Sequence, residues 1–335
     1  MDVTTSGELR ISEGALVSSG TNSQGNGGAI HAAAGSILID ARGSLSYTGI
    51  TSQAGPNSTG NVVVSASERI RVDNGGSLSI RNEASVADPD SLVPTKLTVS
   101  APIVIVSGGS ITAATGGNVN ASAVAVNASA TLSVLHGGQI GSDTSAQGHA
   151  GTVTVRAGDV LIDGRSNAPG GTGISSNTSG SGDAGFVDIQ ADRNILLAHG
   201  GTISTDTFSS GTVSAASAIF SNAYETSSGN AGAISVQATG DVSISGGLIQ
   251  SITWGSGKAG DIVVKAGTVR IDTGNISASA QTGSSGQTGF IKVEASKHIT
   301  LGEGGSLSIS NDATVANPGL LVPTKLTVSA PESPC

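Results

Sequence analysis

One pattern recurs along all 335 residues and limits the possible folds more than any other feature. A glycine is followed by small or polar residues that alternate with aliphatic ones. Clear copies are GAIHAAAGSILID from Gly28, GNVVVSASERIRVD from Gly60, GTVTVRAGDVLID from Gly151 and GFVDIQADRNILL from Gly185. Further copies are GAISVQATGDVSIS from Gly232, GDIVVKAGTVRID from Gly260 and GFIKVEASKHITL from Gly289, with a weaker one, GNVNASAVAVNAS, from Gly117. Most follow S-G-x-A/G and precede GG-x-[IL]-x-S, as in SGDAG and GGSLSI. The spacing of these anchors gives a modal unit of about 30 residues. The gap from Gly60 to Gly117 is close to two units, and that from Gly185 to Gly232 is one unit with an insertion over about 206–228. A second repeat overlies the first: 75–102 matches 304–331 at 22 of 28 positions. Their separation implies duplication of a block of about eight units.

Within each unit the side chains have a period of two, the signature of a half-buried strand. In 260–272, Ile262, Val264, Val269 and Ile271 share one face, while Asp261, Lys265 and Arg270 point away. Three such runs fit in a unit, with Gly, Asn, Ser and Asp at the corners. A lone unit cannot bury its apolar face, but stacked units can. The expected fold is an all-β, right-handed parallel β-helix of about 11 coils, three short strands each, roughly 50 Å long at about 4.8 Å per coil. Residues 1–335 form one continuous segment, because composition never shifts.

Composition agrees. Gly accounts for 50 residues, charged residues for 12% and aromatics for 2%, which suits a narrow aliphatic interior better than an aromatic-lined pocket. The strict three-residue glycine period of collagen is missing. A net charge of −9, with Lys and Arg spread singly, speaks against nucleic-acid partners. No run approaches the apolar length of a membrane span. The N-terminus lacks the basic and apolar regions of a signal peptide, and both ends stop in mid-pattern, as expected of a piece of a longer chain. Cys335 is the single cysteine, so no internal disulfide is expected.

The string SGSGDAGFVDIQADRNILLAHGGTISTDT, with its relatives across nearly the whole chain, resembles the repeat region of filamentous-haemagglutinin-like exoproteins. The resemblance implies a secreted, cell-surface adhesin of a Gram-negative bacterium or cyanobacterium. It also implies export of the parent chain through an outer-membrane two-partner transporter, and contact with host or matrix glycans or proteins. The secretion-domain motif of that family is not at its usual place; Asn317-Pro318-Gly319-Leu320 lies near the other end.

Little in the sequence points to catalysis. Asp40, Asp163 and Asp272 close the second strand of their units and could align as a carboxylate ladder. Capping of the corner by side-chain bonds to backbone N–H groups is the expected role. His31, His136, His149, His199 and His298 are isolated, without metal-ligand spacing. No catalytic residue, cofactor or metal site is expected. The alternatives to a structural rod are a carbohydrate-active β-helix enzyme, polysaccharide lyase or hydrolase-like, and a non-functional fragment of a larger exoprotein. Four of the seven aromatics, Phe208, Phe220, Tyr224 and Trp254, cluster in and just after the insertion. Phe208 and Trp254 occupy equivalent places in their units. These rings are candidates for stacking on a sugar or partner, or for packing within the loop itself. N-x-S/T sequons occur at Asn57, Asn120, Asn127, Asn177 and Asn275.

Overall fold

Each alternating run buries its aliphatic side and pairs its backbone with the unit before and the unit after. The structure is a computed structural model that describes residues 1–21, 26–54, 59–165, 171–207, 227–315, 319 and 321–331, with 201–207 described by backbone alone. Its strands form two parallel sheets, one of 14 strands and one of 10, wound into a β-solenoid. The expected first and second strands fuse in most turns into one long strand, such as Ile30–Asp40, Ala123–Leu135 or Ile262–Asp272. This strand bends where the register shifts, after Ala34, Ala128 and Ala266. The two halves stay separate at Val187–Ala191 with Ile195–Ala198, and at Ile234–Ala238 with Asp241–Ser245. The third run, for example Gln139–Thr144, belongs to the smaller sheet.

Ten strands in that sheet make nine steps, hence about nine turns rather than eleven, and a stack about 43 Å long. Several turns are longer than the modal unit. The step from Leu97 to Val124 is among the shortest, and that from Val187 to Ile234 is the longest. The duplicated blocks, carrying strands Ser77–Asn82 and Ser306–Asn311, lie seven steps apart rather than eight. The weak copy at Gly117 is also corrected. Its strand begins at Ala123, and Ser122 occupies the anchor position, with Thr95 in the turn before.

The anchors are glycines because successive turns touch there. A Cβ on Gly185, Gly232, Gly260 or Gly289 would sit 2.2, 1.9, 1.9 or 2.1 Å from the carbonyl oxygen of the anchor glycine one turn before. The GG corners have a different cause. Asn74-Gly75 and His136-Gly137 both take positive φ, while Gly76 and Gly138 donate N–H bonds back to Asp73 and Leu135 across tight turns.

Ile, Val, Leu and Ala fill the interior beside the larger sheet, and Ile262, Val264, Val269 and Ile271 are all fully buried, as the alternation requires. Beside the smaller sheet the interior is partly polar. Ser142, Ser176 and Ser251 point inward, and each Oγ accepts the N–H of the anchor glycine that follows, Gly151, Gly185 and Gly260. Thr144, Thr178 and Thr253 donate to the carbonyls of Gly148, Gly182 and Gly257. These bonds satisfy corner groups that the strand ladder leaves open.

Candidate functional site

The fused strands bend at an alanine in turn after turn. Ala34 pairs with Ala66, Ala101 with Ala128, Ala128 with Ala157, Ala157 with Ala191, Ala191 with Ala238 and Ala266 with Ala295. Most of these alanines are buried with the core, and the outer face of the large sheet is hollowed alongside the bend. Two adjoining hollows of about 350 and 340 Å³ result, and Gln190 and Asp192 line both. Together they make one groove that runs along the solenoid axis. Its wall on the first-strand side presents Ser100, Asn127, Arg156 and Gln190 in the first hollow, then Gln237 and Lys265 in the second. Register places these residues directly above one another.

Most charges around the groove are paired. Arg156 Nη2 lies 2.6 Å from Asp188 Oδ2. Lys292 and Lys265 share Glu294, at 2.7 and 3.4 Å, and hold its carboxyl below the usual range. On the far rim Arg193 reaches Asp159 at 2.6 Å and the Ala130 carbonyl at 2.9 Å, tying three turns together. Its bond keeps Asp159 ionised below the usual carboxylate range. Asp192 is the one carboxylate among the described lining residues. The amides and hydroxyls are uncommitted: Ser100, Asn127, Ser129 and Gln190 make no side-chain hydrogen bond among the described residues, whereas Gln237 donates to Ser235 at 3.2 Å.

The carboxylates that close the second strand form no continuous ladder. Asp40 stacks on Asp73, but Asp163 pairs with Leu135 and Ala198, and Asp272 pairs with Ser245. Asp40 and Asp163 cap the corner, accepting the N–H groups of Arg42 and Arg165 at 3.1 and 3.0 Å. Burial opposes ionisation of Asp40, yet bonds from Arg42 and Asn74 hold its carboxyl below the ordinary value. Asp73 is deeper; burial pushes it up despite its ion pair with Arg71, and its Oδ1 has no partner among the described residues. Asp272 pairs with Arg270 instead of capping.

His136 and His199 sit at the positive-φ corners, His199 against Asp163 and His136 against Ser107. His149 belongs to an axial chain that the sequence did not reveal. Asn120 accepts the N–H of His149, His149 Nδ1 that of Asp183, Asp183 that of Asn230, and Asn230 that of Lys258, all within 2.7–2.8 Å. Among the described residues no three His, Cys, Asp or Glu side chains gather as a metal site, and no helix is long and apolar enough to cross a membrane.

Of the aromatic candidates, Phe208, Phe220 and Tyr224 lie outside the described residues, as do Asn57 and Cys335. Trp254 follows strand Leu248–Thr253, is half-buried, and encloses its Nε1 without a hydrogen-bond partner among the described residues. Thr207, the last described residue before Phe208, pairs with Thr253. Among the sequons, Asn177 is buried and bonded to Asp143, Asn120 is engaged in the axial chain, and Asn127 is exposed on the groove wall. Comparison with known protein families, with curated proteins and with solved structures finds no match for this chain.

Proposed function

We propose that this chain is a structural and adhesive rod, a segment of a secreted cell-surface protein like the filamentous-haemagglutinin-like exoproteins that its repeats resemble. In this reading the parent chain leaves the cell through an outer-membrane transporter, and the rod contacts host or matrix glycans or proteins. The supporting observation is the in-register stacking of turn on turn, which gives a stiff support with the same outer positions repeated along its length. Beads coated with the folded chain are expected to attach to cell layers or biofilm matrix more strongly than beads coated with heat-unfolded chain. Equal attachment removes the reading.

The axial groove gives some weight to a second reading, a polysaccharide-cleaving enzyme. Glycoside hydrolysis commonly uses two carboxylates flanking the bond. Asp192 is the sole carboxylate among the described residues of the groove, which favours holding a chain over cutting it. Release of unsaturated or reducing ends from acidic polysaccharides incubated with the protein would reverse that preference.

A further inference from the structure

We infer that the axial groove is a binding site for a linear, uncharged polysaccharide lying along the solenoid axis. This deepens the adhesive reading, on which it rests, by naming the ligand class and the residues that meet it. Shape is the first argument. Two hollows that share Gln190 and Asp192 form a trench along the stacked turns, which suits an extended polymer rather than a compact ligand. Its wall repeats at each turn, about every 4.8 Å, so successive residues of a regular polymer meet successive residues of the wall.

Hydrogen-bonding capacity is the second argument. Ser100, Asn127 and Gln190 face the groove with side-chain donors and acceptors that bond to nothing else among the described residues. Amides and hydroxyls of this kind match the mixed donor and acceptor character of sugar hydroxyls. Charge is the third. Arg156 is spent on Asp188, and Lys265 and Lys292 share Glu294, leaving one positive charge against the single negative charge of Asp192. The trench therefore carries no excess of either sign with which to hold a polyanion.

The test is affinity electrophoresis of the whole chain through gels containing hydroxyethyl cellulose or laminarin as neutral probes, and alginate as the polyanion. The inference expects retardation by at least one neutral probe, and none by alginate in excess of it. The triple variant Asn127→Ala, Gln190→Ala, Gln237→Ala should raise the dissociation constant at least tenfold. All three side chains point outward, and an unchanged circular dichroism spectrum and melting midpoint verify folding. Trp254→Ala should bind like the parent. No retardation by either neutral probe, stronger retardation by alginate, or equal binding by the triple variant each overturns the groove site. If bead attachment persists without neutral-polysaccharide binding, only the groove site fails. Binding to the gel without bead attachment removes the adhesive reading instead.

Discussion

Gly232 is glycine because of a carbonyl. The oxygen of Gly185 lies 1.9 Å from where a Cβ would stand, so any side chain must push two turns apart beside the pairing of Val187 with Ile234. Gly232→Ala is expected to lower the denaturant midpoint by the equivalent of about 1–3 kcal/mol, the usual cost of forcing atoms into a filled site. Gly7→Ala is the control, since nothing lies within 4 Å of its Cβ position, and its midpoint should not move. Asp143 shows a residue at odds with its surroundings. Desolvation pushes its carboxyl up to about 6 from 3.8, against the bonds that Asn177 donates to Oδ1 from its backbone N–H and its Nδ2. The folded chain therefore holds this proton more tightly than the unfolded chain. The resulting stability is complete below the unfolded value and is lost as pH rises through the folded one. A difference of this size corresponds to about 3 kcal/mol at most. Asp143→Asn, which cannot ionise, should flatten the fall in melting temperature between about pH 4 and 6. A slope equal to that of the parent would show that Asp143 does not titrate there.

A strand and its corner are held by bonds that composition hides. Ser176 Oγ accepts the N–H of Gly185, and its single O–H is shared between the carbonyls of Ser142 and Gly151, all in the interior. Ser176→Ala leaves the Gly185 N–H buried without that acceptor, which costs about 1–3 kcal/mol. Hydrogen exchange at the Gly185 amide should accelerate, and the melting midpoint should fall. Ser175→Ala, on the outward face, should change neither. The alternation in 260–272 was readable because burial and period two coincide at Ile262, Val264, Val269 and Ile271. The turns anchored at Thr95 and Ser122 were not readable in the same way. Neither residue is glycine, so the glycine pattern points to Gly117 instead, and turns longer than the modal unit, such as those from Val62 to Leu97 and from Val187 to Ile234, make the count nine instead of eleven. The corner role of Asp40 and Asp163 followed from the chemistry of short carboxylates. The groove could not be read at all. It depends on residues far apart in the chain, such as Gln190 and Lys265, reaching one wall through the unequal steps from Gln190 to Gln237 and from Gln237 to Lys265. It depends equally on which polar side chains remain unbonded, a property of the assembled turns. The axial chain from Asn120 to Lys258 was hidden for the same reason.

Across the whole molecule, stability is a sum over turns and their interfaces, so a whole turn is the natural unit of change. Deleting 232–259 removes one full register step, from Ile234 to Ile262. Gly260 then takes the place of Gly232 over Gly185. Ile262 replaces Ile234 and Val264 replaces Val236 above Val187 and Ile189, Val269 and Ile271 replace Val242 and Ile244, and Ile276 replaces Ile249. All of these inward positions keep their residue type, so the shortened core repacks with the same side chains. Three buried polar positions of strand Leu248–Thr253 change, with Ser277 for Gln250, Ala278 for Ser251 and Ala280 for Thr253. The deletion should therefore fold, keep its β spectrum, and shorten in solution scattering by about 4.8 Å. Removing only 246–259, half of that segment, takes away strand Leu248–Thr253 and leaves Ile234–Ala238 and Asp241–Ser245 without a return path to the smaller sheet. That chain should lose its cooperative melt. The whole-turn deletion also removes Trp254 while sparing Asn127 and Gln190, and Lys265 moves into the register position of Gln237. If the groove holds the polysaccharide, the shortened rod keeps its retardation; if the aromatic corner does, retardation disappears with Trp254.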